Sequence, residues 1–158
     1  MKKTFFLVSL ILMDQISKFF VFKNFSIGES MNLLPIIDIY LVFNTGIAFS
    51  LFDDGGSIGR WALVFLVFLV CLYLIYLLIT EDLNRFEYIA LLMILAGGLG
   101  NLIDRSFRGY VIDFIYLYYD NYSFYVFNFA DTYITFGVIF YIFGIVCSKL
   151  KTNGNQAS

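Results

Sequence analysis

WALVFLVFLVCLYLIYLLIT, residues 61–80, carries no charged side chain at any position. About 20 apolar residues in helix cross the hydrocarbon core of a bilayer. The stretch therefore reads as a transmembrane helix, and it sets the fold class. Two further runs, roughly 88–104 and 129–147, are long and apolar enough to do the same. A fourth, roughly 4–22, is interrupted by Asp14, Gln15, Ser17 and Lys18. The composition agrees with this reading. Of the 158 residues, 61% are hydrophobic and only 14% charged, with a mean hydropathy of +0.84, too apolar for a soluble domain of that length. The expected fold is an α-helical integral membrane protein with four transmembrane helices, organised as one domain over 1–158.

The segments between the spans are of a different kind. Residues 33–52 are apolar, yet Pro35, Asp38, Asn44 and Gly46 punctuate them. The stretch IIDIYLVF within them is rich in β-branched and aromatic residues, which favours strands lying at the membrane surface. Residues 110–127 carry many tyrosines around Asp113 and Asp120 and suit an interfacial cap. The segments of about 23–60 and 105–128 are thus expected to form a small β-rich cradle and cap outside the bilayer core. The first span resembles a signal peptide, with Lys2 and Lys3 ahead of an apolar stretch. No small-x-small cleavage site follows and Asp14 breaks the stretch, so a retained span is expected. The tail, 151–158, is expected to be disordered. Four spans put both termini on one side. Lys2, Lys3, Arg85, Lys149 and Lys151 fall with the termini, and Lys18, Lys23, Arg60, Arg105 and Arg108 fall on or near the other side. Charge counting therefore does not orient the chain.

The sequence also restricts the chemistry. It holds no histidine, which excludes a Ser-His-Asp triad, a Cys-His pair and a histidine zinc site. Cys71 and Cys147 lie within apolar runs and read as structural thiols. Net charge is -2 with no basic stripe, so nucleic acid is not an expected partner. Carboxylates remain. A carboxylate within a bilayer is costly and marks a functional candidate. Asp14, Asp104, Asp113 and Asp131 all lie in or beside apolar segments. If 105–128 returns as a short excursion, Asp113 and Asp131 meet at one membrane surface. Such a pair shares a proton, because two like charges a few ångströms apart do not both ionise cheaply. Its ionised member takes a proton from water and its protonated member gives one to a carbonyl oxygen. Each Asp alone is equally readable as a helix cap or an arginine partner. Asn101 and Arg105, four apart, share a helix face and either bind a peptide backbone or pair at the interface. Asp14 and Lys18 read as an internal ion pair. A Ser17–Lys18 dyad is a further possibility, although helix neighbours point about 100° apart. Ala96 and Gly100 form a small-xxx-small pair that allows close helix approach.

Five motifs, in order, give a resemblance: DQISK at 14–18, NTGIAFS at 44–50, GGLGNLIDR at 97–105, GYVIDFI at 109–115 and FNFAD at 127–131. On four spans at this length, the chain resembles the lipoprotein signal peptidases over nearly its whole extent. The resemblance implies that Asp113 and Asp131 are catalytic aspartates. It implies that Asp14 is the supporting acid of the first span. It implies that Asn44, Asn101, Asp104, Arg105, Asn128 and Ala130 line the substrate site, with Lys18 and Gly46 supporting it from the same motifs. It further implies a bacterial inner-membrane aspartic endopeptidase, monomeric, with both termini cytoplasmic and its site near the outer face. The implied substrate is a diacylglyceryl-modified prolipoprotein cut just before its lipidated Cys. Inhibition by globomycin-type peptides is implied, with membrane lipid as surroundings and no metal or organic cofactor. Two positions depart from the pattern. Ile47 stands where the family commonly has Ala, and Tyr116 stands where many members have an acid.

Three rival readings carry different marks. A small transporter using Asp14, Lys18 and Asp131 would show repeats or broken spans. A membrane scaffold would use the glycine-rich face and aromatic surfaces to bind partners. Another intramembrane aspartic peptidase class would read GLGD where this chain reads GLGN at 98–101.

Overall fold

The computed structural model describes residues 2–46, 56–120 and 122–156. Ile47, and with it the C-terminal part of the NTGIAFS motif, lies outside them. Four long helices and one sheet make up the described chain. The helices are α1 (Lys2–Asn24), α2 (Gly56–Thr80), α3 (Arg85–Phe107) and α4 (Phe129–Gln156). The strands are β1 (Ser30–Leu34), β2 (Ile37–Asn44), β3 (Val111–Tyr119) and β4 (Tyr122–Phe127). Among the described residues, Lys2–Asn24, Ile58–Thr80, Arg85–Phe107 and Phe129–Cys147 are long and apolar enough to cross a membrane. The α-helical membrane architecture with a β-rich cap is therefore as the sequence suggested. One expectation fails. α4 runs on to Gln156, so most of the tail expected to be disordered is helical. Once a helix is anchored, each added residue gains a hydrogen bond without a new nucleation step.

The helix ends are written locally. Asn84 caps α3, its side chain accepting from the backbone N–H groups of Phe86 and Glu87, and Glu87 returns a bond to the Asn84 N–H. At the other end Arg108 closes the last turn, and Gly109, with φ of 88°, takes the left-handed conformation that turns the chain into β3.

α3 is the central helix, packed against α1, α2 and α4. Its inward side is small or apolar: Ala90, Leu91, Leu92, Leu95, Ala96, Gly97 and Gly100 are all buried or nearly so. The glycines set the separation from α4. A Cβ on Gly97 would lie 2.2 Å from the Ala130 carbonyl oxygen, so only glycine fits there. On the α2 side, Cys71 and Leu74 pack against Leu91 and Leu95. Cys71 is buried, Cys147 is half-buried, and both are free thiols. The outer surfaces of the bundle carry exposed Phe, Leu, Ile and Val, such as Phe65, Leu69, Ile139 and Phe143, as lipid-facing surfaces do.

The sheet is antiparallel in the order β1-β2-β3-β4. It docks on the end of α1 through Val21, Leu41, Ile112 and Phe114. The interfacial cap is thus two strands of the same sheet as the cradle, not a separate layer. β3 pairs with β2 so that Asp113 lies opposite Val42 and Asn44 lies opposite Val111. Asn44 and Asp113 are therefore diagonal neighbours on one face, close enough for their side chains to meet. Tyr116, the second departure noted above, is on β3 and packs against the rings of Tyr40 and Tyr118.

Candidate active site

The site forms where the sheet-bearing ends of α1, α3 and α4 meet the start of β3. Asn128 begins it. Asn128 is the N-cap residue of α4, and its Oδ1 accepts from the Asp131 backbone N–H at 3.0 Å. Asp131 reciprocates: its Oδ2 accepts from the Asn128 backbone N–H at 3.3 Å. This is a capping box, in which two orphan N–H groups of a helix start are satisfied by each other's side chains. The capping reading of Asp131 is therefore realised, and the cap places its carboxylate beside the other polar groups of the cluster. The box fixes the carboxylate by backbone geometry and leaves Oδ1 for Asn101 Nδ2, at 2.7 Å.

The same Asn128 reaches the second carboxylate. Its Nδ2 donates to Asp113 Oδ1 at 2.6 Å, and Asn44 Nδ2 donates to Asp113 Oδ2 at 2.9 Å. One fully buried asparagine thus connects the strand-borne Asp113 to the helix-borne Asp131. Asp113 is only 3% exposed. Burial, and after it the neighbouring Asp131 charge, raise its carboxyl to about 6 from an ordinary 3.8, against the lowering effect of the two amide donors and Lys18.

Beneath the pair lies a closed polar layer. Lys18 is fully buried, with its Nζ 2.8 Å from Asp14 Oδ2, 2.9 Å from Asp104 Oδ2 and 3.0 Å from Asn101 Oδ1. Asp14 Oδ1 accepts from the Ala130 backbone N–H at 2.9 Å, so an acid from α1 satisfies a second orphan donor of α4. Ala130 is fully buried, and the close approach of Gly100 to Asp14 leaves no room for a side chain there. Arg105 Nη2 donates to the Gly46 carbonyl at 3.2 Å, and the Gly46 N–H donates to Asn44 Oδ1 at 3.2 Å. This ties the end of β2 to α3. Every residue expected to serve the site therefore falls in one connected network: Asp14, Lys18, Asn44, Gly46, Asn101, Asp104, Arg105, Asp113, Asn128, Ala130 and Asp131.

Two participants escaped the sequence reading. Gln15 donates to Asp14 Oδ2 at 3.1 Å, to the Gly100 carbonyl at 3.1 Å and to Asp104 Oδ1 at 3.3 Å. Arg108 pairs with Asp104 and donates to Gln15 Oε1 at 3.4 Å. The Asp104–Arg108 spacing of four was the available signal. The Ser17–Lys18 dyad does not form. Ser17 Oγ donates to the Asp14 carbonyl at 2.7 Å, while Lys18 serves the acids. Beside the sheet, an apolar groove of about 630 Å³ opens between α1 and β2–β3, lined by Ile16, Phe20, Ile39, Phe114 and Phe129 among others.

Two carboxylates joined by one asparagine, at the end of four membrane-spanning helices, are the groups that a membrane-embedded peptidase of the aspartic type requires. Comparison with known proteins narrows the class. The family model for signal peptidase (SPase) II matches residues 6–147. The chain belongs to the signal peptidase II family. It is 42% identical over 153 residues to a lipoprotein signal peptidase of Bartonella quintana, covering 94% of this chain and 87% of that one. It is 42% identical over 144 residues to a lipoprotein signal peptidase of Streptococcus pyogenes, covering 88% and 91%. A solved bacterial membrane enzyme superposes with a TM-score of 0.82 at 29% identity, covering 98% of this chain and 91% of that one.

Proposed function

We propose that Asp113 and Asp131 are the dyad with which this chain carries out its family's reaction, removal of signal peptides from prolipoproteins. The observation that carries the assignment is the Asn128 bridge, which hydrogen-bonds both carboxylates at once. The charge balance supports a shared proton. The connected network holds the acids Asp14, Asp104, Asp113 and Asp131 and the cations Lys18, Arg105 and the half-exposed Arg108. One proton on the dyad makes it neutral, and a low-dielectric site favours that state.

The environments divide the labour. Asp113 has its carboxyl raised and keeps the proton. Asp131 sits in the first turn of α4 and accepts a hydrogen bond on each oxygen. Ionised Asp131 takes a proton from a water as its oxygen attacks the scissile carbonyl carbon. Protonated Asp113 gives its proton to the carbonyl oxygen. When the tetrahedral species collapses, the C–N bond breaks, the departing amine takes the proton gained by Asp131, and one hydroxyl proton returns to Asp113 as the C=O bond re-forms, which restores the starting dyad. The titration belongs to the pair and not to either residue alone.

The substrate of this reading is a diacylglyceryl-prolipoprotein, cut on the N-terminal side of its lipidated Cys. An acyl chain fits the apolar groove beside α1, whose wall includes Phe114 and Ile115, the residues that follow Asp113 on β3. Both termini are cytoplasmic, the dyad lies near the outer face, the enzyme acts as a monomer, and globomycin-type peptides occupy the same site. The test is cleavage of diacylglyceryl-prolipoprotein by purified protein in detergent, with Asp113→Asn and Asp131→Asn beside the native chain. Native cleavage before the Cys, abolished in both folded variants, is expected. Activity surviving in either variant overturns the dyad.

A further inference from the structure

At the end of the bundle away from the sheet, a cavity of about 530 Å³ opens between the first turns of α1 and α3. Its polar lining is Lys2, Lys3 and Arg85 with Tyr88; its apolar lining includes Phe6, Ile89 and Leu92. The chain as a whole has 12 acidic and 10 basic residues, yet among the described residues no acid lines this cavity. None of the three cations forms an ion pair with a carboxylate among the described residues. Glu87, the nearest acid along α3, points back to the Asn84 N–H in the capping box. Lys3 is not a free-swinging surface charge, since its Nζ stacks 3.6 Å from the centroid of the Tyr88 ring.

The cavity continues into the membrane. A second space of about 200 Å³ shares Lys3, Tyr88 and Leu92 with it and runs between α1, α2 and α3. Apart from Thr4, its further walls are apolar: Leu7, Ile75, Leu78, Ile79 and Leu95. A cationic mouth at a span end, leading to an apolar slot between helices, matches a molecule with an anionic head and a hydrocarbon tail. Charges that only set topology have no need of a shared cavity, of a ring that fixes one of them, or of a slot behind them.

We propose that this cavity is a binding site for an anionic glycerophospholipid. Its phosphate lies among Lys2, Lys3 and Arg85, and one acyl chain enters the α1–α2–α3 slot. A basic pocket between membrane helices attracts such headgroups, each cation contributing about a five-fold gain in affinity. The site is separate from the dyad, and its occupancy is read without catalysis, so it stands or falls independently of the proposed reaction.

The experiment is native mass spectrometry of the full chain in detergent, titrated with phosphatidylglycerol or phosphatidylcholine of identical acyl chains. Phosphatidylglycerol should be retained about ten-fold more strongly, and Lys2→Gln, Lys3→Gln and Arg85→Gln should each weaken it by about five-fold. Thermal midpoints certify folding. If loss of the Tyr88 contact unfolds the Lys3 variant, the other two variants carry the test. Equal retention of the two lipids, or a phosphatidylglycerol adduct indifferent to all neutralisations, overturns the proposal. Complete displacement of phosphatidylglycerol by millimolar inorganic phosphate also overturns it, by assigning the site to a free anion.

Discussion

Asp113→Asn should abolish cleavage and yet stabilise the protein at alkaline pH. Folding raises the Asp113 carboxyl from an ordinary 3.8 to about 6, so the folded state binds this proton more tightly than the unfolded chain. The stability this proton contributes is therefore full below the unfolded value and is lost as pH rises through about 6. A carboxyl raised by about two pH units on folding forfeits about 3 kcal/mol by pH 8. Asparagine does not ionise, so the variant escapes this loss. It has a defect of its own. Its NH2 group must face Asn44 Nδ2 or Asn128 Nδ2, both donors, and one buried hydrogen bond fails at a cost of about 1–2 kcal/mol. The variant should be less stable than the native protein at pH 4 by about 1–2 kcal/mol and more stable at pH 8 by a similar amount. The assay is the thermal midpoint in detergent, followed by circular dichroism from pH 4 to 8. At roughly 2–4 °C per kcal/mol, the difference between the two proteins should swing by about 6–12 °C and change sign. A pH-independent difference would refute the reasoning, because it would mean that the Asp113 carboxyl is not raised by folding.

The same proton predicts the alkaline limb of activity: kcat/KM should fall as pH rises through about 6, where the pair in the free enzyme gives up the proton that Asp113 must donate. A flat profile from pH 5 to 9 would exclude Asp113 as the acid. Asn128→Ala removes the α4 cap and a donor to Asp113 together. It should lower the thermal midpoint by the equivalent of about 1–3 kcal/mol and kcat at least ~100-fold, both measurable on the purified variant. Gly97→Ala should prevent recovery of folded protein, since its Cβ would lie 2.2 Å from the Ala130 carbonyl oxygen. Gly98→Ala, whose Cβ meets only Cys71 Sγ at 3.1 Å, should fold with a modest loss. Comparison of monodisperse yield by size-exclusion chromatography tests the pair.

Much of this was legible in the sequence, for identifiable reasons. Spans are read from length and hydropathy alone, because a bilayer demands both. The α2 run needed no other information. Asp113 and Asp131 stood out because carboxylates beside apolar runs have few bland explanations. The relation between them was not legible. It depends on Asn128 using its backbone, Oδ1 and Nδ2 for different partners, and no spacing rule reports that. The union of cradle and cap into one sheet was hidden likewise, because β2 and β3 pair across the whole of α2 and α3. Gln15 lies within a motif yet suggested no role, since a glutamine on a helix is ordinary until its three acceptors are seen. The helical end of α4 was hidden by its polarity, which says nothing of propagation from an anchored helix.

The buried polar layer raises a question of design, because buried ion pairs seldom stabilise a protein relative to apolar packing of the same shape. Lys18, Asp14, Asp104 and Arg108 occupy space between α1 and α3 that leucines fill elsewhere in the bundle. What the layer supplies is a defined start for α4. Asp14 accepts from the Ala130 N–H, Lys18 holds Asp14 and Asn101, and Asn101 donates to Asp131. The chain of bonds therefore runs from the middle of the first span to the Asp131 carboxylate without passing through a loop. An apolar replacement would leave the Ala130 N–H buried without its acceptor and the Asn101 side-chain carbonyl with Asn128 as its one remaining donor, and α4 would start less sharply. Asp131 would then lose the geometry that lets one asparagine hold both acids. The layer exchanges stability for position, and position is what a reaction driven by two small groups and a water requires.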